Sequence, residues 1–472
     1  MNPLGTLLPG FTGPTLPEWL ATRLRDGLAG VCLFATNIES RAQLRDLTTA
    51  ILRANPFAII AIDEEGGDVT RLYSDQGSPY PGNALLGRID DVELTHSVAE
   101  TVGWELRAVG VNLDLAPDVD INSNPDNPVI GTRSFGADAG LVARHASAWV
   151  TGLQSTGVAA SAKHFPGHGD TAQDSHLALP VINLSLEELS ARELVPFAAA
   201  VEAGSLTVMT SHILLPQLDA ERPATLSGDI LQGLLRERLE FNGVIVTDAL
   251  DMTGASGEIG IPEAAVRAVA AGSDLLCIGT DNTDEQLGQI ADALAAAIDT
   301  GRLDAARLAE AADRVAVLGR ELADAAANIP IPEWAESDSP PAFALGRAMS
   351  EFDVSASAVV PAMPVLVTIE TTANIAVGGS PWGLEAAGIR IVRLHEGDEV
   401  PDSDSLVIVG KNNHRHAWVR DLIDLARERH PSTLVIDMGW PSTDRRYADV
   451  ATFGASRYVG LALAAWLEKA EK

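Results

Sequence analysis

Eight short apolar runs, separated by longer stretches of helical periodicity, constrain the fold of roughly the first 280 residues. Their length and apolar content predict buried β-strands. Because parallel strands need crossover helices, the alternation predicts an α/β fold of the (β/α)8 TIM-barrel type. A doubly wound open sheet is the alternative, since periodicity does not give strand order. The runs are "LGTLL" (4–8), "GVCLF" (30–34), "FAIIAI" (57–62), "VNLDL" (111–115), "GVAASA" (157–162), "LTVMTS" (206–211), "GVIVT" (243–247) and "DLLCI" (274–278).

The stretches between these runs carry helix start and stop signals. Ser40 with Gln43, and Ser185 with Glu188, have the spacing of a capping box. The stretch "SLEELSARELVPFAAAVEAG" therefore predicts a helix that starts at Ser185. Other stretches, such as "IPEAAVRAVAAG", space apolar residues three to four apart and end on glycine.

The chain is expected to contain two domains joined by a linker. A helical stretch at 303–328 is followed by the proline-rich, acidic "IPIPEWAESDSPP". We therefore expect a catalytic barrel domain at 1–328 and a linker at 329–341. Residues 342–472 restart the strand and helix pattern, which predicts a small α/β sandwich with a three- or four-stranded sheet. Its predicted strands are "PVLVTI" (364–369), "SLVIVG" (405–410) and "STLVIDMG" (432–439).

Charge and cysteine content exclude several classes of partner and fold. The formal net charge of −32 argues against nucleic acid and against an anionic membrane surface as partners. Two cysteines, Cys32 and Cys277, lie in apolar runs, so a disulfide framework is excluded. The first twenty residues lack signal-peptide features, and we expect a cytoplasmic protein without a membrane span.

Charged and polar residues follow five of the eight predicted strands. In barrels of this type the reactive groups lie just past the carboxyl ends of the strands. Asp248, directly after "VIVT", could be a nucleophile or an electrostatic stabiliser, or it could cap the following helix. The residues after the third to seventh strands are Asp63, Asp118, Asp120, Lys163, His164, His212 and Asp248.

The stretch "KHFPGHGDTAQDSH" (163–176) concentrates groups that move protons. Asp174 lies two residues before His176, so its carboxylate could accept a hydrogen bond from the imidazole and fix its tautomer. A glycine-containing loop could carry this pair into and out of a site. Proline and glycine between His164 and His168 prevent a shared helical face, so we expect no metal site. No cofactor-binding motif is found either, and His168 is interpreted as a loop-shaping residue.

Four motifs together strongly resemble glycoside hydrolase family 3, in particular its β-N-acetylglucosaminidase branch. They are "IDEEGGDVTRL", "NPVIGTRSFG", "KHFPGHGDTAQDSH" and "GVIVTDALDM", and the resemblance covers about residues 1–330. The stretch "FGASRYVGLALAAWL" is similar to the smaller α/β domain of two-domain members.

The resemblance implies roles for individual residues. Asp248 corresponds to the nucleophile that forms a covalent glycosyl-enzyme, His176 to the acid/base, and Asp174 to its dyad partner. Most retaining glycosidases use two carboxyl groups, so here a histidine would replace the acid. The positions that would hold the terminal sugar, by donating to or accepting from its polar atoms, are Asp63, Arg71, Arg133, Lys163 and His164.

Two positions depart from the pattern of this family. Asp68 stands where an arginine is common, and Ala249 stands where an acidic residue often follows the nucleophile. Both departures are expected to alter what lies beyond the terminal sugar.

The resemblance implies a retaining exo-β-N-acetylglucosaminidase that acts on small glycans or cell-wall fragments, with a small carbohydrate as partner and no cofactor. Three alternatives remain. A phosphorylase would use inorganic phosphate as acceptor, which a neutral imidazole tolerates better than a carboxylate does. The others are a broad-specificity β-glucosidase and an inactive carbohydrate-binding relative.

Overall fold

The computed structural model describes residues 2–171, 173, 179–257, 259–338, 340–373 and 375–470. Asp174 and His176, the predicted acid/base dyad, lie outside the described residues. The chain divides into two compact units. The first comprises 1–64, 92–121 and 138–341, and the second comprises 65–91, 122–137 and 342–472. The domain boundaries expected from the sequence stay a prediction.

Strands are numbered in chain order through both units. Each of the eight predicted apolar runs overlaps one of the strands β1 to β8, and β5 extends three residues beyond its run. The strands are β1 Leu7–Leu8, β2 Gly30–Leu33, β3 Ile59–Ile62, β4 Leu113–Asp114, β5 Ala159–Phe165, β6 Thr207–Thr210, β7 Val244–Val246, β8 Leu276–Cys277, β9 Asp353–Val354, β10 Val365–Ile369, β11 Val392–Leu394, β12 Ser405–Gly410, β13 Ser432–Asp437 and β14 Val450–Ala451.

Helices alternate with the strands, as parallel pairing requires. Asp229–Arg238 forms a further, π-helical segment. The α-helices are α1 Glu18–Arg25, α2 Arg41–Ala54, α3 Asn83–Ile89, α4 Val92–Ala108, α5 Ala139–Gln154, α6 Leu186–Ala191, α7 Leu194–Glu202, α8 Thr253–Ser256, α9 Ile261–Ala271, α10 Asp284–Asp299, α11 Ala305–Asn328, α12 Glu333–Glu336, α13 Leu345–Ser350, α14 Gly383–Ala386, α15 Ala417–Arg429 and α16 Arg457–Ala470.

The first unit is built on parallel strands. Strands β2 to β7 form a six-stranded sheet in chain order, and β1 pairs with β8 in a separate two-stranded sheet. All of these pairs are parallel. The carboxyl ends of β2 to β7 therefore lie at one edge, which is where a parallel α/β sheet carries its functional groups.

Apolar side chains from all eight of these strands pack into one buried cluster, which forms the core of the first unit. Cys32 and Cys277 belong to this cluster as free thiols, so both are buried packing residues. One residue of the cluster from each strand is Leu8, Cys32, Ala61, Leu113, Ala159, Met209, Val246 and Cys277.

Both predicted helix starts are found, with one difference in detail. Ser185 and Glu188 form a complete capping box at the start of α6. Ser40 accepts a hydrogen bond from the backbone N–H of Gln43, but the Gln43 side chain accepts from Glu39 rather than from Ser40.

The helix expected from Ser185 onward is interrupted, and α6 and α7 replace it. Arg192 lies at the break with φ −128° and ψ −75°. Pro196 explains the break, because proline has no N–H to donate to the carbonyl four residues earlier and its ring clashes with that carbonyl. That carbonyl belongs to Arg192.

The second unit contains a six-stranded sheet in the order β11-β10-β12-β13-β14-β9. All pairs are parallel except β14 with β9. The three predicted strands correspond to β10, β12 and β13, so the expected number of three or four strands is wrong. The strands that the sequence did not predict, β9, β11 and β14, have two or three residues each. Strands this short leave almost no periodic signal.

The sheet of the second unit is covered by helices on both faces. Side chains of α13, α14 and α16 pack on one face, and side chains of α15 pack on the other. Helix α3, from the loop after β3, also belongs to this unit, and its Leu85 is buried in the first of these clusters. None of the helices in the described part of the chain is both long and apolar enough to cross a membrane.

Candidate active site

Four predicted site residues meet at the carboxyl-terminal edge of the sheet in the first unit. Asp63 directly follows β3, and Lys163 and His164 immediately precede Phe165, the last residue of β5. Asp248 lies two residues beyond the end of β7. Strands β5 and β7 are both neighbours of β6, so their ends are separated by about 10 Å.

Lys163 and Asp63 form an ion pair at this edge. The Lys163 Nζ lies 2.8 Å from Asp63 Oδ1, and the two side chains are 2% and 19% exposed. A buried ammonium needs such a partner, because taking an unpaired charge out of water costs several kcal/mol. The pair therefore holds a charged donor and a charged acceptor at a fixed place beside β3 and β5.

Asp120 organises the end of β5. Its Oδ2 lies 2.7 Å from His164 Nδ1, and its Oδ1 accepts a hydrogen bond from the backbone N–H of His168 at 2.6 Å. A carboxylate can only accept, so His164 Nδ1 is the donor, and in the neutral ring Nε2 is then the acceptor nitrogen. Asp120 thus fixes both the ring of His164 and the path of the chain after β5.

Asp248 is half-buried, and its Oδ1 accepts from the backbone N–H of Ala249 at 2.8 Å. The next helix, α8, starts at Thr253 and has Met252 as its N-cap. Asp248 therefore does not cap a helix, which removes one of the two interpretations left open by the sequence.

His212 holds the backbone next to Asp248. Its Nε2 lies 2.9 Å from the carbonyl oxygen of Ala249, so Nε2 carries the donated hydrogen. Its Nδ1 lies 2.9 Å from Thr225 Oγ1, and the Thr225 hydroxyl donates to the carbonyl oxygen of Ser211 at 2.8 Å. Ala249, one of the two departures from the family pattern, contributes through its backbone in this contact.

His168 is fully buried beside this edge. Burial, opposed by the nearby Asp120 carboxylate, lowers the pKa of His168 to about 4. Its Nδ1 lies 3.1 Å from Thr171 Oγ1, within the same loop. A neutral, internally bonded imidazole fits the loop-shaping role that we expected for it.

A further buried carboxylate, Asp114, lies behind the edge at the end of β4. Its Oδ1 accepts a hydrogen bond from the backbone N–H of Glu64 at 2.9 Å. Burial raises the pKa of Asp114 well above its ordinary value. Asp114 was not predicted as a site residue, although an acidic residue inside the apolar run "VNLDL" is an unusual feature of the sequence.

In the second unit, Arg133 forms a two-pronged ion pair with Glu65. Its Nη2 and Nε lie 2.7 and 3.0 Å from the two carboxylate oxygens, and both side chains are buried. This geometry fixes the guanidinium plane. Glu65 was not singled out from the sequence, although it belongs to the "EEGG" motif.

Arg71, the other predicted sugar-binding arginine, also lies in the second unit. Its Nη2 donates to the carbonyl oxygen of Ala376 at 3.0 Å.

Asp68, the other departure from the family pattern, is bound within the second unit. Its Oδ1 accepts from the backbone N–H of Ala455 at 2.8 Å, and its Oδ2 accepts from the Thr132 hydroxyl at 3.1 Å. Arginine has only donor groups, so it could not accept either hydrogen bond. An aspartate at position 68 therefore allows the contact with Ala455 in the carboxyl-terminal part of the chain.

Asp118, Asp120 and His164 bring ligand-type atoms within 4.8 Å of one another, and all three residues are buried. They are the best candidates for a metal site in the described part of the chain. His164 Nδ1 donates its hydrogen to Asp120, which leaves Nε2 as the ring nitrogen with a lone pair. Within the structure the three residues are linked by hydrogen bonds, because the backbone N–H of Asp120 also donates to Asp118 Oδ1 at 3.0 Å.

Residues 16–318 match the family model described as the glycosyl hydrolase family 3 N terminal domain. The chain belongs to glycosyl hydrolase family 3. The matched region includes all the predicted site residues, both in the edge of the first unit and in the segments 65–91 and 122–137 of the second.

Named relatives of this family 3 chain agree with the assignment. It is 36% identical over 348 residues to β-hexosaminidase A of Pseudoalteromonas piscicida, covering 67% of this chain and 57% of the relative. It is 40% identical over 269 residues to a β-hexosaminidase of Methylococcus capsulatus, covering 56% of this chain and 79% of the relative. This chain thus spans little more than half the length of the Pseudoalteromonas protein.

A solved structure resembles the whole chain. It is a glycoside hydrolase family 3 β-N-acetylglucosaminidase from Paenibacillus sp. str. FPU-7, with 31% sequence identity and a TM-score of 0.87. The similarity covers 99% of this chain and 96% of the Paenibacillus chain. Both units of this protein are therefore similar in fold to parts of one family 3 enzyme.

Proposed function

We propose that this protein is a retaining exo-β-N-acetylglucosaminidase that removes terminal N-acetylglucosamine from small glycans or cell-wall fragments. The observation that carries the proposal is the meeting of Asp248, beyond β7, with Lys163 and His164 of β5 at one edge of the sheet. Family membership and the names of the relatives at 36–40% identity support the substrate class.

The proposal includes a closed (β/α)8 barrel around this edge. Two links support closure beyond the pairing of β1 with β8. The backbone N–H of Cys32 in β2 donates to the carbonyl oxygen of Pro9, just after β1, at 2.9 Å. Val246 of β7 forms an isolated parallel bridge with Leu275, just before β8. The domain boundaries 1–328, 329–341 and 342–472 belong to the same proposal.

In the proposed reaction a carboxylate oxygen of Asp248 bonds to the anomeric carbon while the glycosidic C–O bond breaks. His176 gives its proton to the departing oxygen, and Asp174 stabilises the imidazolium form. Water then attacks the anomeric carbon, His176 takes a proton from that water, and Asp248 leaves. Two displacements at one carbon give net retention of configuration.

The ion pair of Lys163 with Asp63 supplies a fixed donor and acceptor for sugar hydroxyls. His164, with its ring set by Asp120, presents Nε2 in a defined protonation state. Arg133, whose plane is set by Glu65, and Arg71 are proposed to bind the remaining polar groups of the terminal sugar. Such groups accelerate the reaction to the extent that their bonds strengthen in the transition state.

The test compares turnover of an aryl β-N-acetylglucosaminide and an aryl β-glucoside. We expect the wild-type protein to prefer the first and to release the β-anomer initially, as seen by proton NMR. Asp248→Asn and His176→Ala should each lower kcat by at least about 10³-fold. The exposed Asp299→Asn is the matched control and should retain wild-type turnover.

Turnover by Asp248→Asn close to that of the wild type would contradict the mechanism. Preference for the aryl glucoside would favour a broad-specificity β-glucosidase. Inorganic phosphate added to the assay would reveal phosphorolysis as sugar 1-phosphate, and binding without turnover would indicate an inactive relative. The cytoplasmic location predicted from the sequence is part of the same proposal and is tested by cell fractionation.

A further inference from the structure

Residues 166–171, which we term the anchor segment, continue the chain from β5 toward Asp174 and His176. The segment is held on one side by the hydrogen bond from His168 N–H to Asp120. The break between α6 and α7 provides its other neighbours, because Arg192 and Glu193 occupy that break. Neither Arg192 nor Glu193 has a role in the proposed reaction.

Arg192 connects Glu193 to the anchor segment. Its Nη2 donates to Asp170 Oδ2 at 2.6 Å, and its Nε donates to Glu193 Oε1 at 2.6 Å. Arg192 is 36% exposed, whereas Glu193 is 1% exposed. A planar guanidinium that binds two carboxylates fixes their separation. Asp170 is therefore held at a set distance from a rigid, buried neighbour.

Glu193 also packs directly against the backbone of the anchor segment. Gly167 has φ +124°, and a Cβ at this position would lie 2.9 Å from Glu193 Cβ and 3.0 Å from its Oε2. Two residues further along the segment, a Cβ at Gly169 would lie 1.6 Å from the carbonyl oxygen of Ile121. Glycine therefore suits both positions, because a side chain would collide with Glu193 at the first and with the Ile121 backbone at the second.

Burial of Glu193 favours its neutral form. The pKa of Glu193 is raised to about 7 because burial outweighs the opposing effect of the Arg192 guanidinium, and the Asp120 and Asp170 carboxylates contribute smaller increases. Within the described part of the chain, Oε2 accepts no hydrogen bond. The residue therefore gains its charge, and its full attraction for Arg192, in the neutral pH range.

We propose that Glu193 is a positioning residue for the acid/base half of the reaction. Together with Arg192 and Asp170 it anchors residues 166–171, and so it sets the point from which the chain continues to Asp174 and His176. This inference rests on the proposed function for its catalytic consequence. The anchoring itself can be measured without any substrate.

The central variant is Glu193→Gln, which keeps the shape of the side chain and removes its ionisation. Glu187→Gln, at an exposed position of α6, is the matched control. Below about pH 6 Glu193 is itself neutral, so the wild type and the variant should have similar kcat. Above pH 8 the ratio of wild-type to variant kcat should reach about 10, with KM changed less than about threefold.

The second measurement is hydrogen exchange at the backbone amides of residues 167–171 at pH 8. We expect exchange about tenfold faster in Glu193→Gln than in the wild type and in Glu187→Gln. Glu193→Ala should show the same increase at every pH. If that variant fails to fold, Arg192→Gln, at a half-exposed position, tests the same link to Asp170.

Unchanged exchange at residues 167–171 in both Glu193→Gln and Arg192→Gln would overturn the anchoring. A kcat ratio between wild type and Glu193→Gln that is independent of pH would overturn the positioning role. A wild-type protein that cleaves neither aryl glycoside would contradict the proposed function instead, and the exchange experiment would still decide whether Glu193 anchors the segment.

Discussion

At the scale of single residues, burial sets the protonation of two groups near the end of β5. It lowers the pKa of His168 to about 4 and raises that of Glu193 to about 7, so each is held in its neutral form over part of the usual pH range. The sequence identified His168 as a loop residue but gave no sign of burial. Glu193 escaped notice because its neighbour Gly167 lies 26 positions earlier in the chain.

The contacts that orient the site also join residues that are distant in the chain, so the sequence did not predict them. Asp120 and His212 could be named as residues that follow strands, because strand ends are visible in the sequence. Their partners could not, since His164 is 44 positions from Asp120 and Ala249 is 37 positions from His212. Such contacts depend on strand order and side-chain direction, which local periodicity does not contain.

His168 should make the protein sensitive to acid. Its pKa is lower in the folded chain than in the unfolded chain, so below about pH 6.5 only the unfolded chain takes up the proton. The contribution of His168 to stability is therefore fully present above pH 6.5 and is lost as pH falls toward 4. Because one pH unit corresponds to about 1.4 kcal/mol, the loss amounts to at most about 3 kcal/mol.

His168→Asn should be less stable than the wild type at pH 7.5 but should lose less stability between pH 6.5 and 4.5. Urea unfolding at several pH values measures both effects. His395→Asn is the control, because His395 is 66% exposed. Parallel pH profiles of the wild type and His168→Asn would show that His168 is not the acid-sensitive group.

At the scale of elements, the sequence predicted what periodicity determines. The eight runs of the first unit and the three long strands of the second all became strands, because buried strands of this length are continuous in apolar residues. The break between α6 and α7 was missed, although Pro196 was a visible signal for it. A helix pattern alone does not show whether a proline will bend a helix or divide it.

Pro196→Ala tests whether proline causes this break. The new N–H at residue 196 can donate to the carbonyl of Arg192, so we expect that amide to be protected from exchange and α6 and α7 to become continuous. Redirecting Arg192 and Glu193 should then lower kcat by about tenfold. Pro262→Ala is the control, since Pro262 lies in the first turn of α9, where no N–H partner is needed.

A break that persists in Pro196→Ala, with amide 196 unprotected and kcat unchanged, would show that contacts of Arg192 and Glu193 hold it. The proline would then be a consequence of the break rather than its cause. Either result separates local backbone chemistry from tertiary contacts at this position.

At the scale of the whole molecule, the two units are not two continuous stretches of chain. Residues 65–91 and 122–137, which follow β3 and β4, belong to the second unit. Linker-like composition in the sequence indicates one boundary near 329–341. It does not indicate that loops within the first 330 residues pack with the second unit. The predicted sugar-binding residues Arg71 and Arg133 lie in these loops, where they contact the carbonyl oxygen of Ala376 and the Glu65 carboxylate.

Ending the chain near residue 330 should therefore destabilise what remains. Leu85 of α3 is buried among side chains of the carboxyl-terminal region, which the truncation removes. The milder variant Leu85→Ala, in the full-length chain, should lower the free energy of unfolding by about 2–5 kcal/mol. Urea unfolding measures this, with Leu461→Ala, at an exposed position of α16, as the control. A truncated chain that is monomeric, unfolds at the wild-type urea midpoint and keeps wild-type turnover would contradict the prediction, because it would show that residues 65–91 and 122–137 hold their structure without the rest of their unit.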